Sequence, residues 1–242
     1  MTMLNRNIRL AQTKSFSPSV IYGLKMWIDI SDLRFVVKDV SNKISLVVDK
    51  SGNGNDATQA TDAKKPILTV SSQSNRQTAV YNGSNSAMGL KDAIKTILSV
   101  SGQYSIFAVC KTWNLSAAQT IIAGTNSTND RVVLGLTSSG SFCLSHYTGS
   151  YSSLSKTATT DFSILFASNN VSKTLTVNSV APDGTGNGSA TGSTFAYMGA
   201  ATGGTTILLS GNICEVLVFN REIGATEINA INKYLKRKWN IN

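Results

Sequence analysis

Apolar and polar positions alternate with a period of two in short blocks along most of the chain, and adopt a helical period only at its end. The clearest alternating blocks are residues 104–113, 131–137, 141–147, 162–168, 172–180 and 207–219, which read as strands. In the first, Ile106, Ala108 and Cys110 share one face while Phe107 and Val109 share the other. Both faces are then apolar, so this strand belongs in the middle of a sandwich. Residues 35–48 form two apolar runs around Ser41, Asn42 and Lys43, the pattern of a hairpin, and residues 51–55 are a turn cluster. A short strand at 78–81 ends in the turn Asn82-Gly83-Ser84, and the Gly/Thr/Ser-rich stretches 184–192 and 202–206 read as loops between strands.

Two segments have helical spacing. Ile94, Ile97 and Leu98 at i, i+3 and i+4 predict a short helix over 91–99. Ile228, Ile231, Leu235 and Trp239 at i, i+3, i+7 and i+11 predict a longer one over 225–238, with Asn229, Asn232, Lys233 and Lys236 on its polar side. Glu227 in its first turn and the basic residues in its last turns suit the helix dipole. The fold class is therefore all-β, a two-sheet antiparallel sandwich with one C-terminal helix. The 242 residues divide into an extended polar arm, 1–18, and one domain, 19–242, without an internal repeat.

Composition sharpens this picture. Only 14% of residues are charged, whereas Ser, Thr and Asn number 32, 25 and 21, a supply of short polar side chains that suits strands and turns. The net charge of +9 is concentrated at the ends, in Arg6, Arg9 and Lys14 and in Lys233, Lys236, Arg237 and Lys238. A nucleic-acid groove would interleave basic and aromatic residues along one face, so no nucleic-acid partner is expected. The longest apolar runs are four or five residues, far short of the about 20 that span a bilayer, and no membrane insertion is expected. The first residues lack the apolar core of a secretory signal. Cys110, Cys143 and Cys214 are odd in number and lie in strand-like stretches, which predicts buried free thiols formed in a reducing cytoplasm.

Three segments carry a family resemblance. Residues 24–33 (LKMWIDISDL), 49–59 (DKSGNGNDATQ) and 211–223 (GNICEVLVFNREI), followed by a helix ending YLKRKWNI, resemble the concanavalin A-like, laminin-G-like jelly-roll domains of phage virion and bacterial surface proteins. The resemblance spans residues 20–242 and implies two antiparallel sheets face to face, with the first and last strands paired. Gly224 stands where such domains usually place Ser or Thr before the last helix, a small cost at an N-cap. Sugar binding, protein binding, hydrolysis and virion structure all occur on this fold.

Candidate chemistry is sparse. Asp49, Ser51 and Asn53, with Asp56 as a further oxygen, copy the first half of a calcium loop. The acid expected at its twelfth position is Ala60, so a turn in which Asp49 accepts loop amides is the competing reading, and calcium is the one cofactor to consider. Glucanases of this fold carry Glu-x-Asp-x-x-Glu on one strand, and this sequence has no such run. Glu215 is expected to pair with Arg221 or Lys25 instead of acting as a catalyst. His146 is the sole histidine and no nucleophile elbow accompanies it. His146, Tyr147 and Tyr151 cluster around a hairpin tip at 148–150, and Trp113 lies at a strand end; aromatic rings beside small polar groups are what sugars stack upon.

The expected role is a non-enzymatic, phage-type virion structural protein: a capsid decoration, head-fibre or tail component assembled in the host cytoplasm without a signal peptide. In that role the arm docks on other virion proteins, or on copies of itself, with Leu4, Ile8 and Leu10 as apolar anchors and Arg6 and Arg9 facing carboxylates. The alternative is a carbohydrate-binding module or adhesin that recognises host surface glycan. A glycan hydrolase ranks third.

Overall fold

A computed structural model describes residues 16–91, 103–124, 131–147, 151–170, 172–180, 186–187 and 196–242. The arm positions Leu4, Arg6, Ile8, Arg9 and Leu10, nearly all of the helix expected at 91–99, and most of the loop at 184–192 lie outside them. Two antiparallel sheets pack face to face. The first contains β1 (Leu24–Asp29), β5 (Ile67–Val70), β6 (Gln77–Asn82), β8 (Tyr104–Thr112), β13 (Ser163–Asn169), β14 (Ser172–Val177), β15 (Gly186–Asn187) and β17 (Ser210–Phe219). The second contains β2 (Val36–Lys38), β3 (Ile44–Val47), β4 (Ala57–Thr58), β7 (Met88–Leu90), β9 (Gln119–Ala123), β10 (Arg131–Leu136), β11 (Ser141–Tyr147), β12 (Tyr151–Thr157) and β16 (Tyr197–Met198). The helix α1 (Ala225–Trp239) follows β17.

Strand β17 organises the first sheet. Its whole length pairs with β8, while on the other side residues 210–213 pair with β6 and residues 215–219 with β1. First and last strands thus lie side by side. β8 is central, flanked by β13 and β17, as its two apolar faces require. Ile106, Ala108 and Cys110 enter the core between the sheets with Met26, Ile28, Leu134 and Phe142. Phe107 and Val109 enter a second core, beneath the helix, with Trp27, Leu217, Ile231, Leu235 and Trp239. Phe16 and Ile21 join that second core and Pro18 is buried, so the end of the expected arm packs against the domain.

The helix starts one residue after Gly224, whose N–H is accepted by Glu227 (2.9 Å), and Arg221 holds the same carboxylate. Asn232, expected on the polar side, is buried next to Ile231 on the covered face of the helix. Strands β9 and β12 escaped the pattern reading. β12, YSSLSKT, offers hydroxyls where a strand normally signals with branched or aromatic residues.

One buried carboxylate fastens helix to sheet. Glu215 on β17 accepts hydrogen bonds from Trp27 Nε1 (2.7 Å), Tyr234 Oη (2.9 Å) and Trp239 Nε1 (2.8 Å), and pairs with Lys238 (2.8 Å). The expected partners Arg221 and Lys25 are not used: strand alternation turns Glu215 toward the helix, and Arg221 goes to Glu227. Lys238 also reaches Asp29 (2.7 Å), which in turn meets Lys50 (2.7 Å); Lys50 continues to Asp32 (2.9 Å) and Asp32 to Arg34 (2.7 Å). Burial pushes the Glu215 carboxyl above the usual range. For Asp29 burial acts the same way but is outweighed by Lys238 and Lys50, and its carboxyl sits below that range. All three cysteines are free and buried, and burial pushes the Cys110 thiol up to about 12.

Leu235→Ala is expected to cost about 2–5 kcal/mol, since the side chain is fully enclosed. Lys238→Met leaves two buried acids facing each other and is expected to cost about 3–5 kcal/mol in urea unfolding. Asp29 and Asp32 have folded pKa values below their unfolded ones. Their contribution is present above about pH 4 and lost as the pH falls through the folded values. Glu215 has the opposite sign and loses stability as it ionises. Unfolding midpoints measured across acid pH should therefore fall below about pH 4, and Glu215→Gln should weaken the fold at neutral pH because the amide NH2 would face donors where the carboxylate has a second accepting oxygen.

Candidate functional site

One end of the sandwich gathers an exposed aromatic ring and a rim of amides and hydroxyls. There the end of β8, the end of β6 and the start of β17 coincide, with Gly211 opposite Thr112 and Ser210 opposite Asn82. Gln119 at the start of β9 bridges the two sheets: its Oε1 accepts from Ser210 N (2.8 Å), and its Nε2 donates to the Asn114 carbonyl. Between β6 and β7 the chain turns at Gly83, whose φ of +74° puts it in the left-handed region. Asn82 holds that turn, its Oδ1 accepting from the backbone of Ser84, Asn85 and Ser86 (3.0–3.1 Å).

Trp113 follows β8 directly and is 49% exposed. Its indole N–H donates to Asn212 Oδ1 (3.0 Å), and Asn212 Nδ2 donates to Thr78 Oγ1 (2.9 Å), which lies in the sheet. Its backbone N–H donates to the Ser210 carbonyl (2.9 Å). Both ends of the residue are thus held while half of its surface meets water. Such a ring gives up little freedom when another flat apolar face stacks on it. Asn114, exposed beside it, accepts from Ser116 N and Oγ (2.7 Å each).

A polar cleft of about 210 Å³ opens on the second sheet, lined by Thr58, Gln59, Thr61, Lys64, Tyr197 and Gly204, among others. Gly204 is required there: its φ is +70°, and a Cβ would stand 3.1 Å from the Tyr197 ring. The same loop carries Ile207 at φ +49°, a strained state for a β-branched residue, and returns the chain to Ser210 beside Trp113.

The other expected aromatic residues lie elsewhere. β8 runs about 30 Å from Trp113 to Tyr104 at its far end, and there Tyr104 Oη meets His146 Nε2. His146 is buried between the sheets, so it offers no stacking face to a sugar. The expectation fails because alternation along β11 turns position 146 inward with Phe142 and Leu144. Tyr147 pairs with Tyr151 across the expected hairpin. Their side chains and residues 148–150 lie outside the described residues. Beside this pair, Lys173 is fully buried and donates to Ser152 O (2.9 Å) and Oγ (2.5 Å), and burial lowers its pKa.

The loop of Asp49, Ser51, Asn53 and Asp56 is drawn together, but around donors. Asp49 accepts from Trp27 N (2.8 Å), Ser51 N (2.9 Å), Ser51 Oγ (2.7 Å) and Asn55 N (3.0 Å), so N–H and O–H groups take all four lone-pair directions of its carboxylate. Asp56 accepts from Asp49 N (3.0 Å) and pairs with Lys91 (3.0 Å). Asn53 donates to the Leu24 carbonyl (3.1 Å). These bonds make the loop a turn that clamps β1. Asn212, Gln119 and Tyr197 are the rim residues that sequence reasoning missed, since an amide within a strand and a Tyr in a two-residue strand carry no periodic signal.

No protein-family model and no curated protein matches the sequence. Solved structures do match in shape. Domain 4 of AbnA, a GH43 extracellular arabinanase from Geobacillus stearothermophilus solved in complex with arabinotriose, aligns over 86% of this chain and 98% of its own, with a TM-score of 0.60 and 17% identity. A Trypanosoma rangeli sialidase aligns over 90% of this chain and 33% of its own (TM-score 0.61, 13% identity). A botulinum neurotoxin type C structure, whose cell entry is described as dependent upon interaction with two ganglioside molecules, aligns over 88% of this chain and 51% of its own (TM-score 0.57, 14% identity). The chain thus spans a third to a half of the last two. With paired terminal strands, two face-to-face antiparallel sheets and a single C-terminal helix among the described residues, this chain has the concanavalin A-like jelly-roll fold.

Proposed function

We propose that this chain is a non-catalytic glycan-binding module that receives a sugar ring on the exposed face of Trp113. The observation that carries the reading is the indole held by Asn212 and Ser210 among the side-chain amides of Asn82, Asn85 and Asn114. A pyranose presents one apolar face and a rim of hydroxyls, and this surface offers the complement of both. Glu215, the acid on the strand that resembles the family, is sealed beneath the helix and bonded by four donors, which favours a binding role over hydrolysis. The arabinanase domain complexed with arabinotriose and the ganglioside-dependent neurotoxin give the same direction at the level of fold. A virion subunit docking through its arm rests on the sequence resemblance alone, because residues 1–15 are outside the described ones and the neighbours' descriptions add nothing to it.

A glycan array probed with the full chain is expected to show binding that Trp113→Ala weakens by at least about tenfold. Circular dichroism and the unfolding midpoint of that variant should stay close to the parent, because a half-exposed side chain at the rim contributes little to the core. An array without bound glycan, or a variant that binds like the parent, would overturn the reading.

A further inference from the structure

Around Tyr234 on α1 lie two clefts that share a single wall. One, of about 320 Å³, is lined by Phe16, Ala230, Lys233, Tyr234 and Arg237; the other, of about 280 Å³, by Arg76, Tyr234, Arg237 and Lys238. The rings of Phe16 and Tyr234 stand 5.9 Å apart, and the Tyr234 hydroxyl is held by Glu215 (2.9 Å), so the aromatic wall is fixed from below.

The charge beside that wall is not matched from within. Asp29, Asp32 and Glu215 already face Lys50, Lys238 and Arg34. Arg76, Lys233 and Arg237 are exposed, and no carboxylate pairs with any of them among the described residues. Helix-dipole complementarity accounts for cations on the last turns of α1, but Arg76 comes from the turn before β6. Its Nε donates to the Lys238 carbonyl (2.7 Å), which orients the guanidinium and leaves its terminal N–H groups for an anion. Arg237, between the two clefts, borders both.

We propose that these clefts form a second binding site, for an acidic oligosaccharide whose carboxylate or sulfate is held by Arg76 and Arg237 while a sugar ring lies against Tyr234 and Phe16. The guanidinium forks match a planar carboxylate or two sulfate oxygens, Lys233 adds a third positive charge, and the combined clefts have the size of a small-ligand site. This inference rests on the reading of the chain as a glycan-binding module and adds the class of glycan and a separate place for it.

The test is calorimetric titration of the full chain with a galacturonic acid trisaccharide, a sulfated disaccharide, a neutral trisaccharide and a short single-stranded oligonucleotide. At least one acidic sugar is expected to bind, more weakly as salt rises, while the neutral one does not reach this site. Arg237→Gln, which breaks no hydrogen bond or ion pair among the described residues, is expected to weaken acidic-sugar binding about tenfold, and Arg76→Gln similarly. Trp113→Ala should leave it unchanged. Absence of binding by both acidic sugars, equal binding by the Arg237→Gln variant, or an oligonucleotide that binds as tightly through the same arginines would overturn the proposal. Neutral-glycan binding lost only in Trp113→Ala would then still support the rim site, so the two readings fail separately.

Discussion

The fold depends on a carboxylate placed where water cannot reach it. Glu215 sits on the last strand with its side chain toward the helix, and leaving an unpaired charge there would cost several kcal/mol. Four donors prevent that: one from the first strand, three from the helix. Satisfying the charge therefore requires the first strand, the last strand and the helix to meet in one register. Hydrophobic burial alone would hold α1 on the sheet, yet a stripe of Ile231, Leu235 and Trp239 tolerates sliding in a way that two indole N–H groups aimed at two oxygens do not. Lys238 extends the constraint through Asp29 and Lys50 to the loop after β1, so the chain's two terminal regions are tied by charge as well as by pairing.

The three tryptophans show how the same physics serves buried and exposed rings. Trp27 and Trp239 give their N–H groups to Glu215 and bury their rings, whereas Trp113 gives its N–H to Asn212 and leaves half of itself in solvent. A polar anchor beneath a ring fixes its orientation in each case. What differs is whether protein covers the other side. At Trp113 the uncovered face is bordered by side chains that hold turns and bridge strands, so the surroundings are as fixed as the ring.

Much of this was legible from periodicity. β8 announced its central place through two apolar faces, and α1 through the spacing from Ile228 to Trp239, and both stand within a residue of where the pattern puts them. Positions whose meaning depends on another element were not legible. Glu215 was expected to pair with Arg221 or Lys25, because nothing local shows that a helix will cover it. His146 was expected in an aromatic cluster at a hairpin tip, because nothing local shows that Tyr104, its partner 42 residues away, will bury it. Asn212 reads as a weak strand residue until Trp113 and Thr78 are brought to either side of it. β12 was missed for a different reason: serines fit a strand whose neighbours supply the ladder, but they do not advertise it.

The composition gains its meaning from this arrangement. A surface wetted mainly by hydroxyls and amides has few charges to screen or confuse one another, so a cation without a partner dominates its own neighbourhood. On an ordinary, highly charged surface, Arg76, Lys233 and Arg237 would be three among many and each would find an acid. Here the described acids beneath them are already engaged with Lys238 and Lys50, and Arg76, Lys233 and Arg237 have no carboxylate partner among the described residues. The same low charge density leaves the Trp113 rim neutral. Two surfaces of different character thus coexist on one sandwich, a rim of amides and hydroxyls around Trp113 and a cluster of cations without carboxylate partners among the described residues around Tyr234.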